Sequence, residues 1–328
     1  MFAVSEIIEK NLQRRKPGGS ALWINPEKDD CWQSVNANCT SLKLFSQDYA
    51  CYSFLKQAGA SIEFAAFPQP GDEKYDWIIV NLHRQKALLG MMLDCAASLL
   101  AKDGVLWLAG ENKAGIRSAD KLLKAHFGHL GKLDNARHCI LYEADTALSQ
   151  SLFAPLMYRQ QWTLSCGDSV IDVVSYPGVF AHGRLDEGTA LLLDVLSEMD
   201  LEGDVLDFAC GAGIIGACIA TRHSNTRVTL LDSSALALSA CRETLETNQL
   251  QGFVQASDGL SELSGSFDLV VSNPPIHSDV RTDNHLGMRL LETVREHIRP
   301  GGKLILVANV HLPYENWLSA RFKRFSEL

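Results

Sequence analysis

Hydrophobic and polar positions follow the same rhythm in both halves of the chain, and the second half shows it more clearly. There, short β-branched runs at 204–208, 227–232, 252–256, 268–272 and 303–308 are separated by stretches whose apolar residues recur three and four apart. Runs of that length read as strands buried on both faces, and the stretches between them as covering helices. Over 188–199, Leu191, Leu192, Val195 and Leu196 share a face; over 235–248, Leu238, Cys241 and Leu245 do the same. The alternation predicts an α/β domain with a parallel sheet between two helical layers. Ahead of it, 161–176 alternates around Cys166-Gly167-Asp168, the pattern of a hairpin leading into Pro177-Gly178-Val179-Phe180.

The first half repeats part of this text. Tyr75-Asp76-Trp77-Ile78-Ile79-Val80-Asn81 echoes Phe267-Asp268-Leu269-Val270-Val271-Ser272-Asn273, and the run 101–109 echoes 299–307. A repeat on this scale predicts two tandem Rossmann-like α/β domains. The segment 144–159 lacks a strong period and carries Pro155, so the expected division is 1–155 and 156–328. At 328 residues, each half is long enough to bury its own core.

Composition narrows the classes. With 46% hydrophobic and 21% charged residues the chain is globular, and no apolar run approaches a membrane span. The nine cysteines are scattered, with no C-x-x-C pair and no Cys/His cluster at metal spacing, which predicts reduced thiols, a cytoplasmic protein and no metal. Residues 1–150 hold 17 Lys and Arg against 17 Asp and Glu, while 151–328 hold 13 against 22. An acidic second half argues against coating nucleic acid nonspecifically, so any RNA-binding patch is sought in the first.

The chemistry begins at Asp207-Phe208-Ala209-Cys210-Gly211-Ala212-Gly213, a strand running into a glycine turn, with Gly216 three residues on. Such a turn lets backbone approach a ligand closely, although a lone G-x-G-x-x-G is weak evidence. Two acids add to it. Asp232, at the end of the next strand, can hold the two hydroxyls of a ribose, which fits NAD and S-adenosylmethionine alike. Asp207 favours the sulfonium ligand, because a carboxylate ahead of the loop can orient the turn and lie near an ammonium. Asp258, in Ser257-Asp258-Gly259, is placed to meet an adenine amino group, or simply makes a turn.

Asn273-Pro274-Pro275 then selects the reaction. Each proline stiffens the residue before it, so the fourth strand ends in a rigid bracket where the Asn273 amide oxygen and the Pro274 carbonyl converge. Two acceptors so placed can hold a planar exocyclic amine and aim its nitrogen at a methyl group, with positioning in place of a strong base.

Together these motifs resemble class I S-adenosylmethionine-dependent methyltransferases acting on amino groups, and more closely the RsmC-type family of small-subunit (16S) ribosomal RNA guanine-N2 methyltransferases. The likeness extends over 110–119, Pro177-Gly178-Val179-Phe180, Leu185-Asp186-Glu187-Gly188, Val307-Ala308-Asn309 and Leu312-Pro313-Tyr314. It implies a degenerate amino-terminal methyltransferase copy serving as an RNA platform beside a working carboxy-terminal one. It also implies catalytic roles for Asn273, Pro274, Pro275 and His277, and cofactor contacts from Asp207, Gly211, Gly213, Asp232 and Asp258. The partner implied is ribosomal RNA or the small subunit, met by a monomer away from membranes.

Two departures stand out. Where the family has Phe-His after the bracket, this chain has Ile276-His277, which removes an aromatic face worth ~1–3 kcal/mol of base stacking. After the fifth strand, the 19 residues from Val310 to Leu328 allow a helix over 314–321 and the start of one strand, so the sheet is expected to be cut short. For RNA, the stretch 113–137 carries Lys113, Arg117, Lys121, Lys124, Lys132 and Arg137 against Asp120 and Asp134, and its first four cations are the expected phosphate contacts. Competing readings are a glutamine side-chain N-methyltransferase, a catalytically silent ribosomal-RNA-binding protein and, third, an NAD dehydrogenase, for which Asn-Pro-Pro has no role in hydride transfer.

Overall fold

A computed structural model of the chain describes residues 1–15, 18–68, 73–149, 151–274 and 293–308, with 318, 319, 321, 322, 324 and 326 beyond them. It separates into two compact units, Met1–Tyr158 and Arg159–Leu328.

In the first unit the strands are β1 (Ser20–Ile24), β2 (Ser41–Ser46), β3 (Ile62–Phe64), β4 (Tyr75–Asn81), β5 (Leu100–Glu111), β6 (Phe127–Ala136) and β7 (Cys139–Ala147). They form one sheet in the order β3-β2-β1-β4-β5-β7-β6. The first five are parallel, and β7 runs antiparallel to both β5 and β6. Helices α1 (Ala3–Leu12), α2 (Cys31–Asn36), α3 (Tyr49–Gln57), α4 (Lys86–Leu99) and α5 (Ala119–His126) connect or cover them. Because both sheet faces are covered, the central strands need no polar side: Trp77, Ile78, Ile79 and Val80 are all buried. Trp77 and Trp107 meet edge to face, with ring centroids 4.9 Å apart.

The second unit opens with the hairpin β8 (Gln160–Cys166) and β9 (Ser169–Ser175), which turns at Gly167 as the alternation predicts. Helix α6 (Glu187–Ser197) leads into β10 (Gly203–Phe208), α7 (Ile214–Arg222), β11 (Thr226–Asp232), α8 (Ala235–Thr247), β12 (Phe253–Ala256), β13 (Phe267–Ser272) and β14 (Ile298–Leu306). The sheet order is β12-β11-β10-β13-β14, parallel throughout, which repeats the first five strands of the other unit. The final strand starts earlier than the expected 303, because a register irregularity between Phe267 and Leu269 lets Ile298 pair.

Several details of the α/β reading change. Leu191 is 54% exposed; the buried face of α6 is Thr189, Leu192 and Leu196, and Leu191 points off it. Leu238, Cys241 and Leu245 are all buried, as expected. Cys166 and Cys218 form a disulfide, with Cα atoms 5.7 Å apart, where nine thiols were expected. The partners are 52 residues apart, so only the folding of the hairpin turn against α7 unites them. Of the helix expected over 314–321, residues 314–317 and 320 lie outside the described residues, while 318, 319 and 321 are helical.

The two units share more than strand order. Gly19, just before β1, and Gly203, the first residue of β10, have φ near +70 to +80°, and a Cβ on either would collide with a carboxylate, Asp76 and Asp268 respectively. The following residue then donates its N–H to that carboxylate: Ser20 to Asp76 at 2.9 Å, and Asp204 to Asp268 at 2.8 Å. A register irregularity also sits at the same place in each half, between Tyr75 and Trp77 and between Phe267 and Leu269. The duplication thus extends to individual hydrogen bonds.

Gly203→Ala should lower stability by roughly 2 kcal/mol, since a left-handed φ and a blocked Cβ act together. A urea midpoint that falls with an unchanged slope would show this, and an unchanged midpoint would mean the collision relaxes freely.

Candidate active site

Strand order reverses at β10: the chain lays β11 and β12 to one side, then β13 and β14 to the other. Loops leaving neighbouring strands in opposite directions open a crevice at the carboxyl edge, the switch point where open α/β sheets take ligands. A cleft of about 220 Å³ occupies this place. Its lining draws on Phe208, Ala209 and Gly211 after β10, Leu231, Asp232, Ser233 and Ser234 after β11, Ser257 and Gly259 after β12, and Asn273 after β13. Gly178, Val179 and Phe180, from the segment that follows the hairpin, complete the rim.

The glycine turn is held from two sides. Gly211 donates its N–H to Asp232 at 2.9 Å, and Ser234 donates to the other Asp232 oxygen at 2.8 Å, so the carboxylate is fixed at the edge of the cleft. Gly216 donates to Asp207 at 2.9 Å from the first turn of α7. Gly213 caps that helix at φ +77°, where a Cβ would meet the Cys241 sulfur at 2.7 Å. The thiol beneath the turn is inert: the neighbouring Cys241 thiol and burial together raise Cys210 well above its ordinary range.

Asp207 is fully buried under the turn, which it orients as expected through Gly216; its Oδ1 has no hydrogen-bond partner, and it is not among the residues that line the cleft. Burial first, and then the Asp232 charge, push this carboxyl up to about 7, against the pull of the Gly216 bond. Gly213 likewise acts behind the lining. Asp258 is half-buried between two residues that do line the cleft, Ser257 and Gly259. A carboxylate could be foreseen on this turn, but not which of three adjacent residues would reach the cavity.

Asn273 borders the cleft, and its amide nitrogen is anchored away in α6, donating to Asp186 at 2.8 Å and Thr189 at 2.9 Å. Asp186 lies in Leu185-Asp186-Glu187-Gly188, a stretch that carries the family resemblance, but neither it nor Thr189 is given a role by the sequence; Asp186 accepts from the Thr189 N–H at 3.1 Å as a helix N-cap, and nothing in a cap says which strand end it faces. Pro274 is buried beside Asn273. Pro275 and His277, with Ile276, lie outside the described residues.

The four cations expected to contact RNA lie in the first unit, exposed along consecutive turns. Lys113 and Arg117 sit in short 3-10 turns at Asn112–Ala114 and Ile116–Ser118, and Lys121 and Lys124 on α5. Lys113 lies 3.1 Å from Glu111, and Lys124 3.8 Å from Asp120. Exposed pairs of this kind are worth about 0–1 kcal/mol, so they leave the cations available. No group of His, Cys, Asp and Glu among the described residues could hold a metal ion, and no described helix is long and apolar enough to cross a membrane.

Both units match known domains: the Methyltransferase small domain over residues 170–328, and its N-terminal companion, Methyltransferase small domain N-terminal, over 5–161. Fold and cleft therefore define two tandem class I methyltransferase domains, of which the first is degenerate. Ribosomal RNA small subunit methyltransferase C of Shewanella amazonensis is 34% identical over 97% of this chain and 93% of its own, and that of Aeromonas hydrophila 36% identical over 98% and 93%. The chain belongs to the ribosomal RNA small subunit methyltransferase C family. The T. thermophilus 16S rRNA N2 methyltransferase (RsmC), solved with AdoMet and guanosine, shares the fold at a TM-score of 0.86 and 22% identity, over 98% of this chain and 87% of that one.

The state of Asp207 has a measurable consequence. Its folded pKa lies above the unfolded value of about 3.9, so between roughly pH 4 and 7 the folded chain holds a proton that the unfolded chain has lost. Stability therefore falls as pH rises through that window and levels off above it. Asp207→Asn, which cannot ionise, should gain on the wild type across the same window in denaturant titrations. A difference that stays flat with pH would mean that Asp207 does not hold the proton.

Proposed function

We propose that this protein transfers a methyl group from S-adenosylmethionine to the exocyclic N2 amine of a guanine in small-subunit (16S) ribosomal RNA. The observation that carries the reading is the Asn273 carboxamide at the end of β13, beside the cleft, with its nitrogen engaged elsewhere. An acceptor so fixed suits an NH2 group, and membership of the family supplies the substrate class.

The donor set suits S-adenosylmethionine. Gly211, at φ +54°, takes the left-handed backbone that the turn needs and faces open space; Asp232 offers a carboxylate for the ribose; Ser257 and Gly259 border the space for adenine. The unpartnered Asp207 Oδ1 lies beneath the turn expected to seat the methionine end. When bound, S-adenosylmethionine supplies an electrophilic methyl carbon on a sulfonium sulfur. Asn273, with the Pro274 carbonyl, holds the target amine in orientation, and the apolar walls formed by Phe208, Leu231 and Val179 exclude water. Pro275 and His277 complete the bracket in this reading.

The first unit is the RNA platform, with Lys113, Arg117, Lys121 and Lys124 on phosphates. Phosphate contacts position the RNA, while an unstacked guanine supplies specificity.

Asn273→Ala should reduce kcat by roughly 10²–10³-fold, as removal of a transition-state donor or acceptor does elsewhere. Affinity for S-adenosylmethionine should stay within a factor of about three, because the bracket acts on the other substrate. Transfer of tritiated methyl groups to undermodified small subunits, with a glutamine peptide in parallel, tests the reading; labelling of the peptide alone would overturn it. Charge reversal at Lys121 and Lys124 together should weaken RNA binding and flatten its salt dependence by roughly 0.7–0.9 per lost contact. An unaltered salt slope would move the RNA surface elsewhere.

A further inference from the structure

The first turn of α6 touches the bracket in a way that the methyltransferase reading does not itself require. Asp186 is the N-cap of that helix, and one of its oxygens, Oδ2, accepts from both the Thr189 N–H at 3.1 Å and the Asn273 amide nitrogen at 2.8 Å. The Thr189 hydroxyl, buried, takes the second amide hydrogen at 2.9 Å. Approach is tight: a Cβ on Gly188 would stand 3.0 Å from Val307, 3.1 Å from Asp186 and 3.3 Å from the Asn273 nitrogen. A residue with a side chain at 188 would push the helix turn off the strand end.

A carboxamide has a donor end and an acceptor end of nearly the same shape, and in isolation either could face the cleft. An ionised carboxylate only accepts, so the end that meets Asp186 has to be NH2. We infer that Asp186 and Thr189 are positioning residues that fix the polarity of the Asn273 amide, directing Oδ1 toward the target amine. Gly188 allows the approach. Without this anchoring the amide could rotate, and its NH2 would then confront the NH2 it is meant to hold. The effect is confined to the amine side of the cleft, because neither Asp186 nor Thr189 borders the space lined by Gly211, Asp232 and Ser257.

This inference rests on the proposed methyl transfer, and the test separates the two. Full-length wild type, D186N, D186S, T189V and T189S are compared in single-turnover methyl transfer to undermodified small subunits, with S-adenosylmethionine affinity and melting temperature measured alongside. D186N and T189V should lose roughly 10- to 100-fold in the transfer rate, the worth of a hydrogen bond involving a charged or buried group. Donor affinity should hold within about two-fold, and T189S should restore most of the rate, since its hydroxyl still accepts. D186S distinguishes positioning from folding: serine caps helices well, so its melting temperature should stay close to wild type while its rate falls as in D186N. Wild-type transfer rates in D186S and T189V would overturn the positioning role, as would a loss of rate matched by an equal loss of donor affinity. A wild type that labels no RNA would instead defeat the functional reading on which the inference stands.

Discussion

Everything functional in this molecule follows from parallel strands ending on one edge while their order reverses between β10 and β13. The strands that follow β10 and β13, β11 and β14, lie on opposite sides of that pair, which leaves a crevice at the carboxyl edge between them. Backbone at such an edge must find partners or water, and the residues that leave the strands here are those able to supply them. Asp232 takes two N–H groups of the turns, and Asp207 takes that of Gly216. Both acids hold the backbone of the turns that frame the crevice.

The first unit has the same order of five parallel strands, with different side chains at the corresponding edge. In register, Trp23 of β1 stands where Asp207 stands in β10: the one is flanked by Leu44 and Ile79, the other by Leu230 and Val271. Its indole donates to Asn81 at 2.9 Å, and Asn81 is the counterpart of Asn273 in the repeated text. Asn25 and Gln47 exchange hydrogen bonds at 3.0 and 2.9 Å between the ends of β1 and β2. Glu27, which is close to Asn81, is raised above the ordinary carboxylate range mainly by burial. An indole in place of a buried acid leaves nothing to anchor a glycine turn, so polar side chains bridge the strand ends. Degeneracy here is a change of side chains within the same order of parallel strands.

Much of this is legible in the sequence. Strands buried on both faces leave continuous apolar runs, and 268–272 and 204–208 lie inside β13 and β10 for that reason. Glycines and prolines mark places where backbone is constrained, so the turn at Gly211 and the bracket at Asn273 stand out from local text alone. Contacts made across the fold did not. The Cys166–Cys218 disulfide joins residues with no shared motif. The descent of Asp207 beneath the turn depends on which side of β10 faces α7, and a run buried on both sides carries no such information. Asp186 has no role legible in its own stretch, because the Asn273 amide that it holds lies 87 residues away.

That anchoring also accounts for an amide at the bracket where a stronger acceptor was available. A carboxylate opposite the amine would bind it more tightly before and after reaction, but it would carry a charge that the rim of the cleft must desolvate and a protonation state that varies with pH. It would also lower the ground state along with the transition state, which gains nothing in rate. A carboxamide is neutral over the whole physiological range, and its weakness is that either end can face the substrate. With the charged group set one layer back, at Asp186, that ambiguity is removed while the formal charge stays behind the amide. The acceptor met by the substrate is then neutral and oriented at once, and the positioning proposed for this site requires both properties.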